Sequence, residues 1–378
     1  MLGWIFLITA AACLALGLLN IVMAPTWSAW QLGVVTGEFG HWLAILPIGV
    51  AVVAWVFRNG AMSLAVATTV VAAIATALLL KPVMQARRIG RSLPEVLAQR
   101  FGPQSNSGPA FSFAGLTKSD PLPTPFQTLT VPGDLPLDFY RPVAPLNGNP
   151  APCVIVIHGG GWDSGDRRQL PEFNYWLARH GYAVAAISYR LAPQFKWPAQ
   201  RDDTLAAIAF LKERAKELGI DPGRFVLLGR SAGGQIAQVV AYTARDPAIR
   251  GLIALYAPGD LYFGYVNTFE NDMLHSPALM RQYLGGPPET ARAAYDSASA
   301  QYHVHAGAPP TLLLHGEIDP LVWHRHSVRL DARLAELGVP RAFVSLPWAT
   351  HAFDYNLQGP GGQLTTFAVE WFLRSITR

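Results

Sequence analysis

A chain of 378 residues exceeds one average domain and is long enough to bury a full core. Its net charge of +4 is modest, and no basic patch interleaved with aromatics marks a nucleic-acid surface. A hydrophobic fraction of 51% and a mean hydropathy of +0.23 are high for a protein in water, so membrane segments come first.

The apolar excess lies at the N-terminus. Residues 2–24, 42–57 and 61–80 are three runs almost free of charge. The first and third match the ~20 residues that cross a bilayer core, and the second is short. Trp4, Trp27, Trp30, Trp42 and Trp55 stand near their ends, as an aromatic belt would. Residues 2–24 lack the basic leader of a cleaved signal. The expectation is a transmembrane region over 1–80 of about three helices, or two if 42–57 is re-entrant, with membrane lipids as partners. Residues 25–41 read as a loop between spans. Lys81, Arg87, Arg88, Arg91 and Arg100 follow the last run, so the positive-inside rule puts the remainder of the chain in the cytoplasm.

Residues 81–124 read as a juxtamembrane segment and linker. Within it, 81–101 mixes basic and apolar positions and predicts a short helix on the membrane surface. The stretch that follows is rich in Gly, Pro, Ser and Asn.

From 125 to 378 the pattern is α/β. Residues 128–131 and 137–140 predict an antiparallel pair around Pro132-Gly133-Asp134. Residues 153–157 and 183–188 are continuous apolar runs, typical of strands buried on both faces of a parallel sheet. Helix 201–218, strand 225–229, helix 232–245 and strands 251–256 and 311–315 come next. Helix 322–337, strand 342–347 and a helix near 363–376 complete the series. Such alternation means a doubly wound, mostly parallel sheet. Residues 262–308 interrupt it with Tyr262, Phe263, Tyr265, Phe269, Met273, Met280 and Tyr283, and read as a cap inserted over the strand ends. Cys13 and Cys153 fall in apolar runs and read as buried small hydrophobes, with no disulfide or metal site implied.

Three segments carry chemistry. The apolar run from Phe225 enters Gly229-Arg230-Ser231-Ala232-Gly233 and then a helical stretch, the pattern of a nucleophile elbow. Glycines are needed there because the serine backbone is strained and its neighbours come close. The turn lifts Oγ clear of the sheet and aims the Ala232 amide at the reaction centre. Upstream, the strand Cys153–Ile157 delivers His158-Gly159-Gly160-Gly161-Trp162, whose exposed amides suit a developing oxyanion. His158 reads as a brace for this loop and not as a base.

Downstream, 312–316 ends in carboxylates at Glu317 and Asp319. Asp319, before Pro320, is the preferred acid, Glu317 is the second candidate, and helix capping is the other reading of Asp319. His351 is the candidate base because it follows the last strand, where imidazole can reach the serine. His180, His303, His305, His315, His324 and His326 do not follow that strand, although His303 and His305 suit the substrate entrance.

Taken in order, His158-Gly-Gly-Gly-Trp162, Ser188-Tyr-Arg-Leu-Ala-Pro193, Asp221-Pro222, Gly229-Arg-Ser-Ala-Gly-Gly234, Gly316-x-x-Asp319 and His351 resemble the α/β-hydrolase superfamily. The likeness is to its hormone-sensitive-lipase and feruloyl-esterase-like (BD-FAE) branches, and it covers residues 125–378 but not the membrane region. Arg230 departs from it, since the hormone-sensitive-lipase branch more often carries Asp before the serine. The resemblance implies a Ser231–Asp319–His351 triad and an oxyanion hole of Gly160, Gly161 and Ala232. It assigns loop support to His158, Gly159, Gly229 and Gly233, and calls for no metal or cofactor. Asp203, within a segment that also resembles the family, reads as a loop anchor.

The activity implied is that of a membrane-anchored carboxylesterase acting on a small-molecule ester. The aromatic insertion and the adjacent bilayer suggest an apolar or lipid-like one. An amidase such as an arylformamidase, or an acyltransferase, would use the same triad. A non-catalytic membrane scaffold or binding module is the reading from another class.

Overall fold

The computed structural model describes residues 1–104, 108–144 and 150–378, so part of the expected linker, 105–107, lies outside the described residues. Among these residues eight strands form one sheet: β1 (Phe126–Val131), β2 (Leu135–Tyr140), β3 (Ala151–Ile157), β4 (Ala183–Ile187), β5 (Ile220–Arg230), β6 (Ile249–Leu255), β7 (Thr311–Gly316) and β8 (Arg341–Leu346). Their order is β1-β2-β4-β3-β5-β6-β7-β8. β1 and β2 pair antiparallel across the expected Pro132-Gly133-Asp134 turn, β2 meets β4 antiparallel, and all later pairings are parallel. Every residue of β3 and β4 is buried, because both faces of a parallel sheet are covered. Ile157 pairs with Gly229, which sets the C-terminal ends of β3 and β5 side by side.

Among the described residues, thirteen α-helices accompany the sheet. The N-terminal four are α1 (Leu2–Leu18), α2 (Trp27–Leu43), α3 (Ile45–Val56) and α4 (Met62–Phe101). The rest are α5 (Pro171–Arg179), α6 (Ala199–Glu213), α7 (Ala215–Leu218), α8 (Ala232–Thr243), α9 (Leu261–Asn267), α10 (Ser276–Leu284), α11 (Pro288–Ala298), α12 (Arg325–Glu336) and α13 (Pro360–Ile376). One sheet face packs against α6, α8, α12 and the inserted α9–α11. The opposite face packs against α5, α13 and the C-terminal half of α4.

The N-terminal region departs from the sequence reading in three ways. Residues 27–41, expected within a loop, fall in α2. Its glycines are a packing stripe: a Cβ on Gly40 would lie 2.5 Å from the Leu79 carbonyl oxygen of α4. Residues 42–57 are not one straight segment, because the chain bends by 51° between α2 and α3. Residues 81–101 are not a separate surface helix but continue α4 through Pro82 and Pro94 to a length of 40 residues. Val83, Ala86, Leu93 and Leu97 of this extension are buried against the sheet. That packing supplies the stabilisation that two interior prolines, at roughly 3 kcal/mol each, would otherwise remove.

Among the described residues, α4 alone is long and apolar enough to cross a bilayer, or two segments qualify if α2 and α3 make one broken span. α1, at 17 residues, is a shorter apolar helix. Cys13 and Cys153 are both buried and unpaired.

Candidate active site

The elbow is built by close backbone crossings. Ser231 sits between β5 and α8 with φ +51° and ψ −122°, a strained conformation for a non-glycine residue. Its N–H donates to the Leu255 carbonyl at 3.0 Å, and its carbonyl accepts Gly234 N–H at 2.9 Å. A Cβ at Gly233 would collide with the carbonyl oxygens of Ile157 and His158, and one at Gly229 would strike the Gly233 carbonyl. Glycine is therefore dictated on both sides of the serine. Ser231 also stands at the positive end of the α8 dipole.

Asp319 lies beyond the end of β7, completely buried. Its Oδ1 accepts the N–H groups of Leu321 and Val322 at 2.8 and 3.0 Å, and its Oδ2 accepts His351 Nδ1 at 2.6 Å. The helix-cap reading does not hold, because α12 begins only at Arg325 with His324 at its N-cap; Oδ1 instead braces the turn before that helix and leaves Oδ2 to His351. Burial alone would raise this carboxyl, but the charge of His351 and hydrogen bonds from His315 and His351 hold it well below the ordinary carboxylate value. With Nδ1 engaged, His351 has Nε2 left, and both His351 and Ser231 line one cleft of about 540 Å³. Ser231 Oγ makes no hydrogen bond among the described residues, and such contacts tighten when substrate is bound.

The rival residues stand elsewhere. Glu317 is exposed and accepts Ser345 Oγ–H at 2.7 Å. His315 is fully buried beneath Asp319, with Nε2 3.3 Å from its Oδ2 and Nδ1 2.7 Å from Ser327 Oγ. His303 and His305, expected at the entrance, do not line the cleft, and His275 does. Helix α11 and the turn after it draw His303 inward, where Nε2 lies 3.0 Å from the Ser297 carbonyl.

The glycine loop completes the constellation. Gly160 and Gly161 take φ of +117° and +59°, and Trp162 follows at +67°. The Gly159 amide donates to Gln169 Oε1 at 2.8 Å, whereas the amides of Gly160, Gly161 and Ala232 have no acceptor among the described residues. All three residues line the cleft. His158 lies beneath the loop, stacked on Tyr189 with centroids 4.2 Å apart, while the Tyr189 hydroxyl donates to the His158 carbonyl at 3.1 Å. Burial lowers the His158 imidazole below its ordinary value. Asp203 accepts from the backbone and guanidinium of Arg190 at 2.7–3.0 Å, which ties the 188–193 loop to α6.

Several contacts around the site were not foreseen from any motif. Arg230 donates to Asp354 Oδ2 at 2.5 Å, and Tyr256 donates to Asp354 Oδ1 at 2.6 Å. The Tyr256 ring in turn faces His351 at 4.3 Å between centroids. Trp27 and Trp30 of α2 also line the cleft, although their positions read as an aromatic belt. Glu38 was not singled out either, although the sequence carried a signal for it as the only acidic residue before Glu95. Among the described residues, no group of three or more His, Cys, Asp or Glu side chains is placed to hold a metal.

The strand order, the elbow at the end of β5 and the insertion between β6 and β7 define an α/β-hydrolase. The chain belongs to the BD-FAE family, whose model matches residues 137–334. It is 32% identical over 251 residues to the probable carboxylic ester hydrolase LipM of Mycobacterium tuberculosis, covering 64% of this chain and 58% of that protein. It is 29% identical to an ethyl acetate hydrolase of Pseudomonas putida, covering 58% of this chain and 71% of the relative. With LipM at 58% and the mycobacterial esterase LipQ at 54%, the chain spans little more than half the length of these relatives. Among solved structures, a bacterial heroin esterase superposes with a TM-score of 0.58 at 26% identity, covering 70% of this chain and 88% of that one. The thermophilic carboxylesterase EstE1, at 23% identity and TM-score 0.57, shares the fold over 78% of this chain and 98% of its own.

Proposed function

We propose that this protein is a carboxylic ester hydrolase with Ser231 as nucleophile, His351 as base and Asp319 as its orienting acid. The observation that carries the reading is the buried 2.6 Å contact between His351 Nδ1 and Asp319 Oδ2, beside a serine held at positive φ. His351 Nε2 takes the Ser231 proton as Oγ attacks the ester carbonyl, and the imidazolium is stabilised by the ionised Asp319. The unengaged amides of Gly160, Gly161 and Ala232 receive the oxyanion, which typically contributes more than any other single term. Return of the proton to the leaving alkoxide gives the alcohol and an acyl-Ser231 ester. Water, deprotonated by His351, then releases the carboxylic acid. The ester hydrolases among the relatives support this class of reaction.

The same reading places the enzyme at a membrane, with its hydrolase domain in the cytoplasm. Support comes from exposure: 25 of the 36 exposed large apolar side chains among the described residues fall within residues 1–80, far beyond what an aqueous surface carries. Arg87, Arg88 and Arg91 beyond the apolar half of α4 support the cytoplasmic side. The substrate is an ester with an apolar acyl part, which the aromatic walls of the cleft suit.

Fluorophosphonate labelling of the full-length protein tests the chemistry. The expected result is one labelled site, lost in Ser231→Ala, together with hydrolysis of p-nitrophenyl butyrate that disappears in the same variant. Equal labelling of the wild type and the variant would overturn the assignment.

A further inference from the structure

The cleft that holds Ser231 is not walled by the hydrolase domain alone. Trp27 and Trp30, one helical turn apart at the start of α2, line it beside Gly160, Ser231 and His351. Trp30 is fixed in place, because its indole Nε1–H donates to the His351 carbonyl at 3.3 Å. Its ring meets Trp27 edge to face, with centroids 5.2 Å apart. Further along α2, Cβ atoms on Gly33 and Gly37 would lie 3.8 Å from Thr350 and from the Trp348 ring. The helix therefore lies flat along the segment that carries His351. A simple tether would have no need to meet the base loop in this way.

The same two turns face outward as well. Trp27 is 45% exposed, and Met23, Leu32 and Val35 beside it are exposed too, continuous with the apolar surface of α1, α3 and α4. Met273, Leu274 and Leu279 of the insertion line the same cleft. Leu279 also borders a smaller apolar cavity of about 50 Å³ that includes Phe263, Met280 and Trp323. An acyl chain lying in the surrounding lipid would thus meet apolar side chains from the exposed face of α2 to the interior of the insertion. Indoles suit such a mouth, since they are apolar in body with one polar edge and concentrate where lipid meets water.

We propose that α2 is the lipid-side wall of the active site, and that Trp27 and Trp30 form a portal through which an acyl-lipid ester passes from the bilayer to Ser231. The inference rests on the esterase reading and names its substrate class: an ester of a long-chain fatty acid, dissolved in the membrane. Hydrolysis breaks the acyl–oxygen bond by addition of water, giving a fatty acid and an alcohol. The acid is itself amphiphilic and returns to the bilayer by the same route.

The test uses the full-length protein in phosphatidylcholine vesicles with two substrates, dioleoylglycerol in the bilayer and p-nitrophenyl acetate in the water. The quantity read is the ratio of the two kcat/KM values. Trp27→Ser and Trp30→Phe should each lower that ratio about tenfold, the order expected when an aromatic contact to an apolar chain is lost or misplaced. Val70→Ala, on the outward face of α4, should leave the ratio within about twofold of wild type. Fluorophosphonate labelling of each variant reports that the site is folded. A wild type that cleaves p-nitrophenyl acetate but no bilayer ester overturns the portal, as does a labelled Trp27→Ser whose ratio matches wild type. Absence of both labelling and cleavage in the wild type would instead overturn the esterase reading, and the portal with it.

Discussion

The carboxylate of Glu38, in α2, accepts the backbone N–H groups of Gly361 and Gly362 at 3.0–3.3 Å, more than 320 positions further along the chain. These are orphan donors in the first turn of α13, and the side-chain oxygens of Glu38 satisfy them. The contact is 1% exposed, so water cannot replace it. It fastens the N-terminal helices to the element that follows the His351 loop.

Removing that acceptor leaves buried donors unpaired, at about 1–3 kcal/mol each. Glu38→Ala is therefore expected to lose about 2–4 kcal/mol of stability, and Glu38→Gln, which keeps one acceptor oxygen, distinctly less. Thermal unfolding of the full-length protein in detergent checks the order. Coincident midpoints for wild type and Glu38→Ala would show that α2 is not fastened here.

Arg230 and Asp354 form a buried pair, each 1% exposed, with Tyr256 sharing the carboxylate. Asp354→Ala strands a guanidinium in the core and should cost about 3–5 kcal/mol, whereas Arg230→Met with Asp354→Ala should recover much of it. Because Tyr256 faces His351, Asp354→Ala should also lower kcat, as measured on the protein that remains folded. A double variant no more stable than the single one would contradict the pairing.

The departure of Arg230 from the related pattern now has a physical reason, and it lies at Asp354, a position no motif marks. The hydrolase domain was legible because its signals are local: continuous apolar runs for doubly covered strands, and glycines where β3 and β5 end. The N-terminal region was not, because its glycines serve a different end. Gly33, Gly37 and Gly40 have the composition of a loop, yet they let α2 approach the Thr350–Trp348 loop and α4. Likewise Trp27 and Trp30 sit where a membrane belt would put them, and only tertiary packing turns them toward Ser231. Contacts between residues 30 and 351 leave no trace in periodicity.

The two carboxylates at the end of β7 should differ sharply when altered. Asp319→Asn keeps the shape but loses the acceptor that fixes the His351 tautomer, and a loss of about 10⁴ in kcat is expected. Glu317→Gln touches only Ser345 and the solvent side, so kcat within about twofold of wild type is expected. Steady-state hydrolysis of p-nitrophenyl butyrate separates them. A comparable loss in both variants would reassign the acid.

His326 gives the fold a sensitivity to acid. It is 5% exposed, and burial first, then the charges of His315 and Arg329, lower its imidazole to about 3. Its Nδ1 has no partner among the described residues, and the charge of Asp319, which favours the protonated form, is outweighed by burial. A histidine whose folded value lies below the unfolded value of about 6.5 is protonated first in the unfolded chain. Stability from this group is thus complete above about pH 6.5 and falls as the pH drops toward 3. The slope approaches 1.4 kcal/mol per pH unit for one proton. Burial lowers His158 and His324 as well, and both act in the same direction. His326→Gln should unfold with a shallower loss of stability between about pH 6.5 and 4, read from urea midpoints of the full-length protein at successive pH values. Parallel pH profiles for the two proteins would show that His326 is not the group responsible.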